Sequence, residues 1–197
     1  MTDEELRARL GAAEVAIIGC GGLGSNVAAM LLRSGVRCLS LIDFDRVTRD
    51  NLNRQLFFIE QVGHLKTEAL AETLLRIDPD ASLRIVNEEV SLANLIEAVG
   101  SAHVVVEAVD ASATKVMIIE VCTREIPDVP VVTASGLAGY DSANLIVSEQ
   151  LAENLYVVGD LSSDVDEGHS LLASRVMVAA AHQSHAVVRL ILECESI

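Results

Sequence analysis

Gly19-Cys20-Gly21-Gly22-Leu23-Gly24 is the first segment of this 197-residue chain able to do chemistry. The glycines at 19, 21 and 24 have the spacing at which backbone N–H groups and a helix start can approach a phosphate. A Cβ there would hold the phosphate away. Asp43 follows at the end of a predicted strand, where an acidic side chain can meet a ribose hydroxyl or, alternatively, cap the next turn. The polar stretch 45–55 then carries Asp45, Asn51, Arg54 and Gln55. Arg54 has a planar fork suited to phosphate oxygens, though a surface salt bridge would also use it. Lys66 falls in the first turn of a predicted helix, where the dipole disfavours a cation by about 0.3–1 kcal/mol. It also shares a face with Leu70 and Leu74. Reaching into a phosphate site accounts for both oddities; snorkelling along the apolar surface is the alternative. Asp110 closes an apolar strand at the edge where α/β ligands bind, or else caps the helix that follows. Glu107, among valines in that strand, has no evident role. The site these residues describe takes a nucleotide, and at this point NAD and ATP are both allowed.

The elements that must position these residues alternate. Residues 14–18 form a short apolar strand running into the glycine turn, 23–33 a helix and 36–43 a second strand, the length of a β-turn-α-β unit. A helix over 65–77 ends before Pro79. Strands at 83–88, 104–109 and 129–134 alternate with helices at 92–99 and 113–124. Shorter strands at 144–148 and 155–158, an acidic loop from 160 to 168 and a closing helix over 171–193 complete the chain. The pattern predicts one Rossmann-like α/β domain over 1–197: a largely parallel sheet, helices on both faces, mixed strands toward the C-terminal end.

Composition agrees. The chain is 51% apolar but only 3% aromatic, as suits a buried parallel sheet. Its formal charge of −15 argues against nucleic acid as a partner. No apolar run is long enough to span a bilayer, and the acidic N-terminus is unlike a secretory signal, so a cytoplasmic protein without a membrane partner is expected. Cys20, Cys38, Cys122 and Cys194 lack Cys-x-x-Cys spacing and read as reduced thiols rather than zinc ligands or disulfides. His182 and His185 read as part of a polar helix face, and Asp160, Asp164, Asp166 and Glu167 as a solvated loop without calcium-loop spacing.

Four blocks in order then narrow the choice. They are Gly19 to Ser25, with its extra Gly22; Asp43-Phe44-Asp45-Arg46-Val47; Asn51-Leu52-Asn53-Arg54-Gln55; and Gly63-His64-Leu65-Lys66-Thr67-Glu68-Ala69. In these the chain resembles the ThiF/MoeB family, bacterial relatives of ubiquitin-activating enzymes, with their G-x-G-G-x-G-S, D-x-D-x-V, S-N-L-N-R-Q and G-x-x-K-x-x-A patterns. The segment from Ala134 to Asn144 and Ser174-Arg175-Val176 look like the compact, zinc-free ThiF type. That resemblance implies an adenylyltransferase using ATP and Mg²⁺. Its partner would be a small ubiquitin-like sulfur-carrier protein ending in Gly-Gly, for thiamine biosynthesis, and the enzyme a homodimer. It also implies the roles: Gly19, Gly21, Gly22, Gly24, Asp43, Asp45, Asn51, Arg54, Gln55 and Lys66 around the nucleotide, with Arg54, Lys66 and Asp110 catalytic and Asp110 holding the metal. One departure is that only Arg7 and Arg9 precede the glycine turn, closer than the spacing of an arginine arm reaching a partner subunit. Alternatives are an NAD-dependent oxidoreductase, activation of another carrier such as the molybdopterin one, and a scaffold that binds without turnover.

Overall fold

Five short β-branched and aliphatic runs are apolar on both faces, so they can be buried only inside a sheet covered on both sides. The computed structural model, which describes residues 1–163 and 170–194, builds that sheet. Its elements are α1 (Asp3–Ala12), β1 (Glu14–Ile18), α2 (Gly22–Ser34), β2 (Cys38–Ile42), α3 (Lys66–Leu75), β3 (Ser82–Val86) and α4 (Leu95–Val99). They continue with β4 (Val104–Glu107), α5 (Ser112–Glu125), β5 (Val131–Ala134), β6 (Val147–Ala152), β7 (Leu155–Gly159) and α6 (Ala173–Ile191). The strand order is β3-β2-β1-β4-β5-β7-β6. All neighbours pair in parallel except β6, which returns antiparallel to β7. The expected Rossmann-like class with mixed C-terminal strands is the fold observed.

Period-2 alternation splits each strand between two cores. Val15, Ile17, Leu39, Leu41, Val104 and Val106 pack with α2, α3 and α6. Ala16, Ile18, Ile42 and Val105 pack with α4 and α5. Strands are added outward from β1 to β2 and β3 on one side and from β4 to β5 and β7 on the other, so the winding reverses between the parallel neighbours β1 and β4. In open α/β sheets this switch point is where ligands bind.

Two predicted features fall elsewhere. Residues 143–145 make a 3₁₀ turn rather than a strand, because the Ser142 side chain accepts from the Asn144 N–H and turns the backbone. The strand begins at Val147, where pairing with β7 becomes available. Asp160 is not in a solvated loop: its carboxylate is 4% exposed and pairs with Arg175 of α6. Asp164, Asp166 and Glu167 lie outside the described residues. No described helix is long and apolar enough to cross a membrane.

Candidate active site

A cleft of about 390 Å³ opens at the switch point. Its walls come from the carboxyl ends of β1, β2, β4 and β5, the first turn of α2, the loop through Arg54 and the first turn of α5. Gly19, Gly21, Gly22, Asp43, Asp45, Arg54, Gln55, Lys66 and Asp110 all line it. Gly24 and Asn51 do not.

The glycines divide by task. Gly19 has φ 94°, and a Cβ there would lie 2.6 Å from the Ala108 carbonyl oxygen. A Cβ on Gly24 would lie 1.8 Å from the Gly19 carbonyl oxygen. These two let the turn pack on itself and on the end of β4. Gly21 and Gly22 border the cleft, with the nearest atoms to a Cβ at 3.6 Å (Gln55 Nε2) and 3.2 Å (Val176 Cγ1). Gly24→Ala should therefore cost about 3 kcal/mol or more of stability, read as a lowered urea midpoint. Gly21→Ala should keep the wild-type midpoint and lose nucleotide affinity; equal midpoints for the two variants would refute the division.

Asp43 performs the capping alternative without leaving the cleft. Its Oδ2 accepts from the Cys20 N–H at 2.7 Å and its Oδ1 from the Asp45 N–H at 2.8 Å. A carboxylate has about four lone-pair sites, so two remain for a ribose hydroxyl. Asp45 accepts from Lys66 Nζ at 2.7 Å. Lys66 is nearly buried, its side chain 9% exposed, at the first residue of α3. It is held by a carboxylate at the cleft rather than snorkelling to solvent. Asn51 serves the loop: its Oδ1 accepts from the Thr48 N–H at 3.0 Å and its carbonyl from the Gln55 N–H. It shapes the wall that presents Arg54 and Gln55.

Arg54 donates to Asn53 Oδ1 at 2.8 Å and weakly to the Asp50 carbonyl. Both acceptors are neutral, and no carboxylate lies in ion-pair range of it among the described residues. Gln55 is buried beside the glycine turn with its Oε1 unpartnered, an acceptor that a donor in the cleft could satisfy. Asp110 is exposed in the cleft and does not cap α5, whose N-cap is Ala111 with no side-chain bond. The capping alternative for Asp110 is thereby excluded.

Other residues are not evident from motif spacing. Asn26 donates to the Gly22 carbonyl at 2.6 Å and the Arg54 carbonyl at 3.1 Å, tying the arginine loop to the glycine turn. Ser25 joins the same parts by donating to the Gly21 carbonyl and accepting from the Leu56 N–H. Their signal is two polar residues at the buried start of an apolar helix. Glu107, fully buried, accepts from the Val109 N–H at 2.8 Å, from Thr133 Oγ1 and from Lys115 Nζ. Arg175 binds Asp160 and the carbonyls of Asp141 and Ser142, pinning the loop that carries Gly136 to Ala138 into the cleft wall. It lies at i, i+4, i+8 with Ala179 and Gln183 on the buried face of α6, a periodicity visible in the chain.

The weaker candidates take structural places. His182 Nδ1 pairs with Ser148 Oγ at 3.0 Å, and no three metal-ligating side chains converge among the described residues. Burial pushes the Cys122 thiol up to about 11 and the Cys20 thiol well above its ordinary value. Neither is a thiolate at neutral pH.

Comparisons with known proteins identify the family and the fold. The model of the ThiF family matches residues 1–196. The chain is 33% identical over 150 residues to the tRNA threonylcarbamoyladenosine dehydratase of Haemophilus influenzae, covering 75% of this chain and 57% of that protein. It is 32% identical over 146 residues to the protein of the same name from Escherichia coli, covering 73% and 53%. The chain thus spans little more than half the length of these curated relatives. The crystal structure of E. coli tRNA N6-threonylcarbamoyladenosine dehydratase, TcdA, in complex with ATP superposes with a TM-score of 0.87. Identity there is 23%, over 96% of this chain and 90% of that chain, a likeness of fold. With a family match running almost end to end over a cleft that gathers its motif residues, the chain belongs to the ThiF family.

Proposed function

We propose that this chain adenylates a carboxylate with ATP. The observation that carries the reading is the cleft's uncompensated charge: Arg54 with no carboxylate partner and Asp110 with no hydrogen-bond partner among the described residues. Both are suited to a polyanion and its counter-ion. A protein of the same fold holds ATP in its crystal structure.

In this reading the glycine turn and the α2 N-terminus meet the phosphates, Asp43 the ribose, and Arg54, Lys66 and the side-chain N–H of Gln55 donate to the phosphate oxygens. A carboxylate oxygen of the acceptor attacks the α-phosphorus. The bond to the β-phosphate oxygen breaks, giving an acyl-adenylate and pyrophosphate. Alignment and charge neutralisation do most of the work, and no protein nucleophile is needed. Mg²⁺ fits the residues present, since it binds through one or two carboxylates together with phosphates and water, and Asp110 supplies the carboxylate. When bound it would offset phosphate charge. Asp110→Asn should lower exchange of pyrophosphate into ATP by about 10²-fold or more, with partial recovery at raised Mg²⁺. Activity within threefold of wild type at every Mg²⁺ concentration would remove Asp110 from the metal role.

The acceptor we infer is the C-terminal glycine carboxylate of a small ubiquitin-like sulfur carrier, with the thiamine carrier first among the choices. The charge of −15 favours a protein acceptor over RNA. A second reading comes from the relatives named tRNA threonylcarbamoyladenosine dehydratase. The threonine of that nucleoside also bears a carboxylate, so the activation would be shared and only the acceptor would differ. Pyrophosphate exchange across a panel of Gly-Gly-ended carriers and tRNA carrying threonylcarbamoyladenosine separates the two. Stimulation by tRNA alone would overturn the carrier reading. Stimulation by neither, with NAD binding that ATP does not displace, would restore the oxidoreductase alternative.

A further inference from the structure

Arg54 and Lys66 both stand on the side of the cleft built by residues 43–66. A third cation, Lys115, lines the cleft from the first turn of α5, on the β4–β5 side. Its side chain is 22% exposed, and its one partner among the described residues is the fully buried Glu107. An ammonium has three donors, so two remain for the cleft.

The pair is an expensive way to fill a sheet. Glu107 stands beside Val105 and Val106 in β4, where another aliphatic residue would pack without desolvating a charge. Replacing a buried ion pair by apolar residues is often neutral or stabilising. The network around Glu107 is directed at one outcome. Val109 N–H holds Oε1, Thr133 Oγ1 shares Oε2, and Gln183 donates to the Glu107 carbonyl at 3.2 Å. The carboxylate is thereby fixed in place with Lys115 on its cleft side.

In the adenylation reading, ribose at Asp43 and phosphates at the glycine turn would fill the β1–β2 part of the cleft. The β4–β5 part, lined by Ser135, Gly136 and Leu137, is left for the acceptor. A carboxylate arriving beside a triphosphate meets like charge, and a cation on its own side offsets that repulsion. We propose that Lys115 binds the acceptor's carboxylate and that Glu107 is the positioning residue that aims it. The proposal rests on the adenylation reading and adds a residue for the second substrate.

The test is a double-mutant cycle read as binding, with a non-hydrolysable ATP analogue present. The probe is a Gly-Gly-ended sulfur carrier in two forms, one ending in the native carboxylate and one in a carboxamide. Wild type should bind the carboxylate form about tenfold more tightly. Lys115→Met should bind the two forms within twofold of each other, and Lys115→Arg should recover the preference. Glu107→Gln keeps an acceptor for Thr133 but releases Lys115, and should reduce the preference severalfold. Affinity for the ATP analogue alone should stay within twofold in all variants. A full preference in Lys115→Met, no preference in wild type, or loss of nucleotide affinity in parallel would each overturn the assignment. Pyrophosphate exchange by wild type is scored separately. Carboxylate preference without exchange would sink adenylation and leave Lys115 standing; exchange without preference would do the reverse.

Discussion

Arg54→Ala is expected to lower acceptor-driven ATP–pyrophosphate exchange by about 10³-fold while leaving the fold intact. Removing the side chain strands no buried group, because its acceptors, Asn53 Oδ1 and the Asp50 carbonyl, are exposed. The stability change should stay within about 0.5 kcal/mol, as for other surface substitutions. What is lost is the guanidinium that lines the cleft without a carboxylate partner among the described residues, and with it the neutralisation proposed for charge building on the phosphates. Arg54→Lys should recover only part of the rate, since an ammonium cannot bind two oxygens in one plane. Exchange rate and urea midpoint measured on the same preparations decide the matter. Near-normal exchange in Arg54→Ala would reject the phosphate role, and a large fall in midpoint would make the residue structural instead.

The largest stability effect is expected at the Asp160–Arg175 pair. Burial pushes the Asp160 carboxyl up, but the N–H groups of Ser163 and Ser162 and the Arg175 guanidinium outweigh it and hold it at about 2. To bring those N–H groups round, the chain passes through Leu161 at φ 58°. Asp160→Asn leaves Arg175, its side chain 3% exposed, without a counter-charge. Breaking a buried pair in this way costs about 3–5 kcal/mol. The pH dependence follows from the same geometry. The folded value lies below the ordinary 3.8, so this contribution is complete above about pH 4 and is lost as pH falls toward 2. It amounts to about 2 kcal/mol. Wild type should therefore lose stability over that window, and Asp160→Asn should lose about that much less. Parallel curves for the two proteins would show that Asp160 is not linked. Because Arg175 also holds the carbonyls of Asp141 and Ser142, the variant should loosen the β5 side of the cleft and raise the KM for the proposed acceptor more than that for ATP.

Much of this molecule is legible in its chain. The aliphatic runs could be buried only between two helical layers, so a parallel sheet followed. Glycine, aspartate and arginine spacing placed the turn that lines the cleft because those residues act through local geometry: a Cβ-free turn, a helix start, a side chain at a strand end. Lys66 was legible for a related reason, since a cation at a helix start on an apolar face conflicts with its own surroundings.

Tertiary structure decided what depends on partners distant in the chain. Gly24 is needed because the Gly19 carbonyl occupies the space of its side chain, and no spacing rule separates that from phosphate approach. Asp110 could have been a helix cap until the α5 N-terminus was placed one residue later. Asp160 read as solvated because its counter-charge lies 15 residues on, in another element. Glu107 had no role until Lys115 and Thr133 met it, one from a helix and one from the neighbouring strand. The sequence by itself determined the sheet, the glycine turn and the place of the cleft, all set by local periodicity and backbone sterics. Which charges stay free for ligands and which are consumed in holding the fold was decided only when folding brought distant side chains within hydrogen-bonding range.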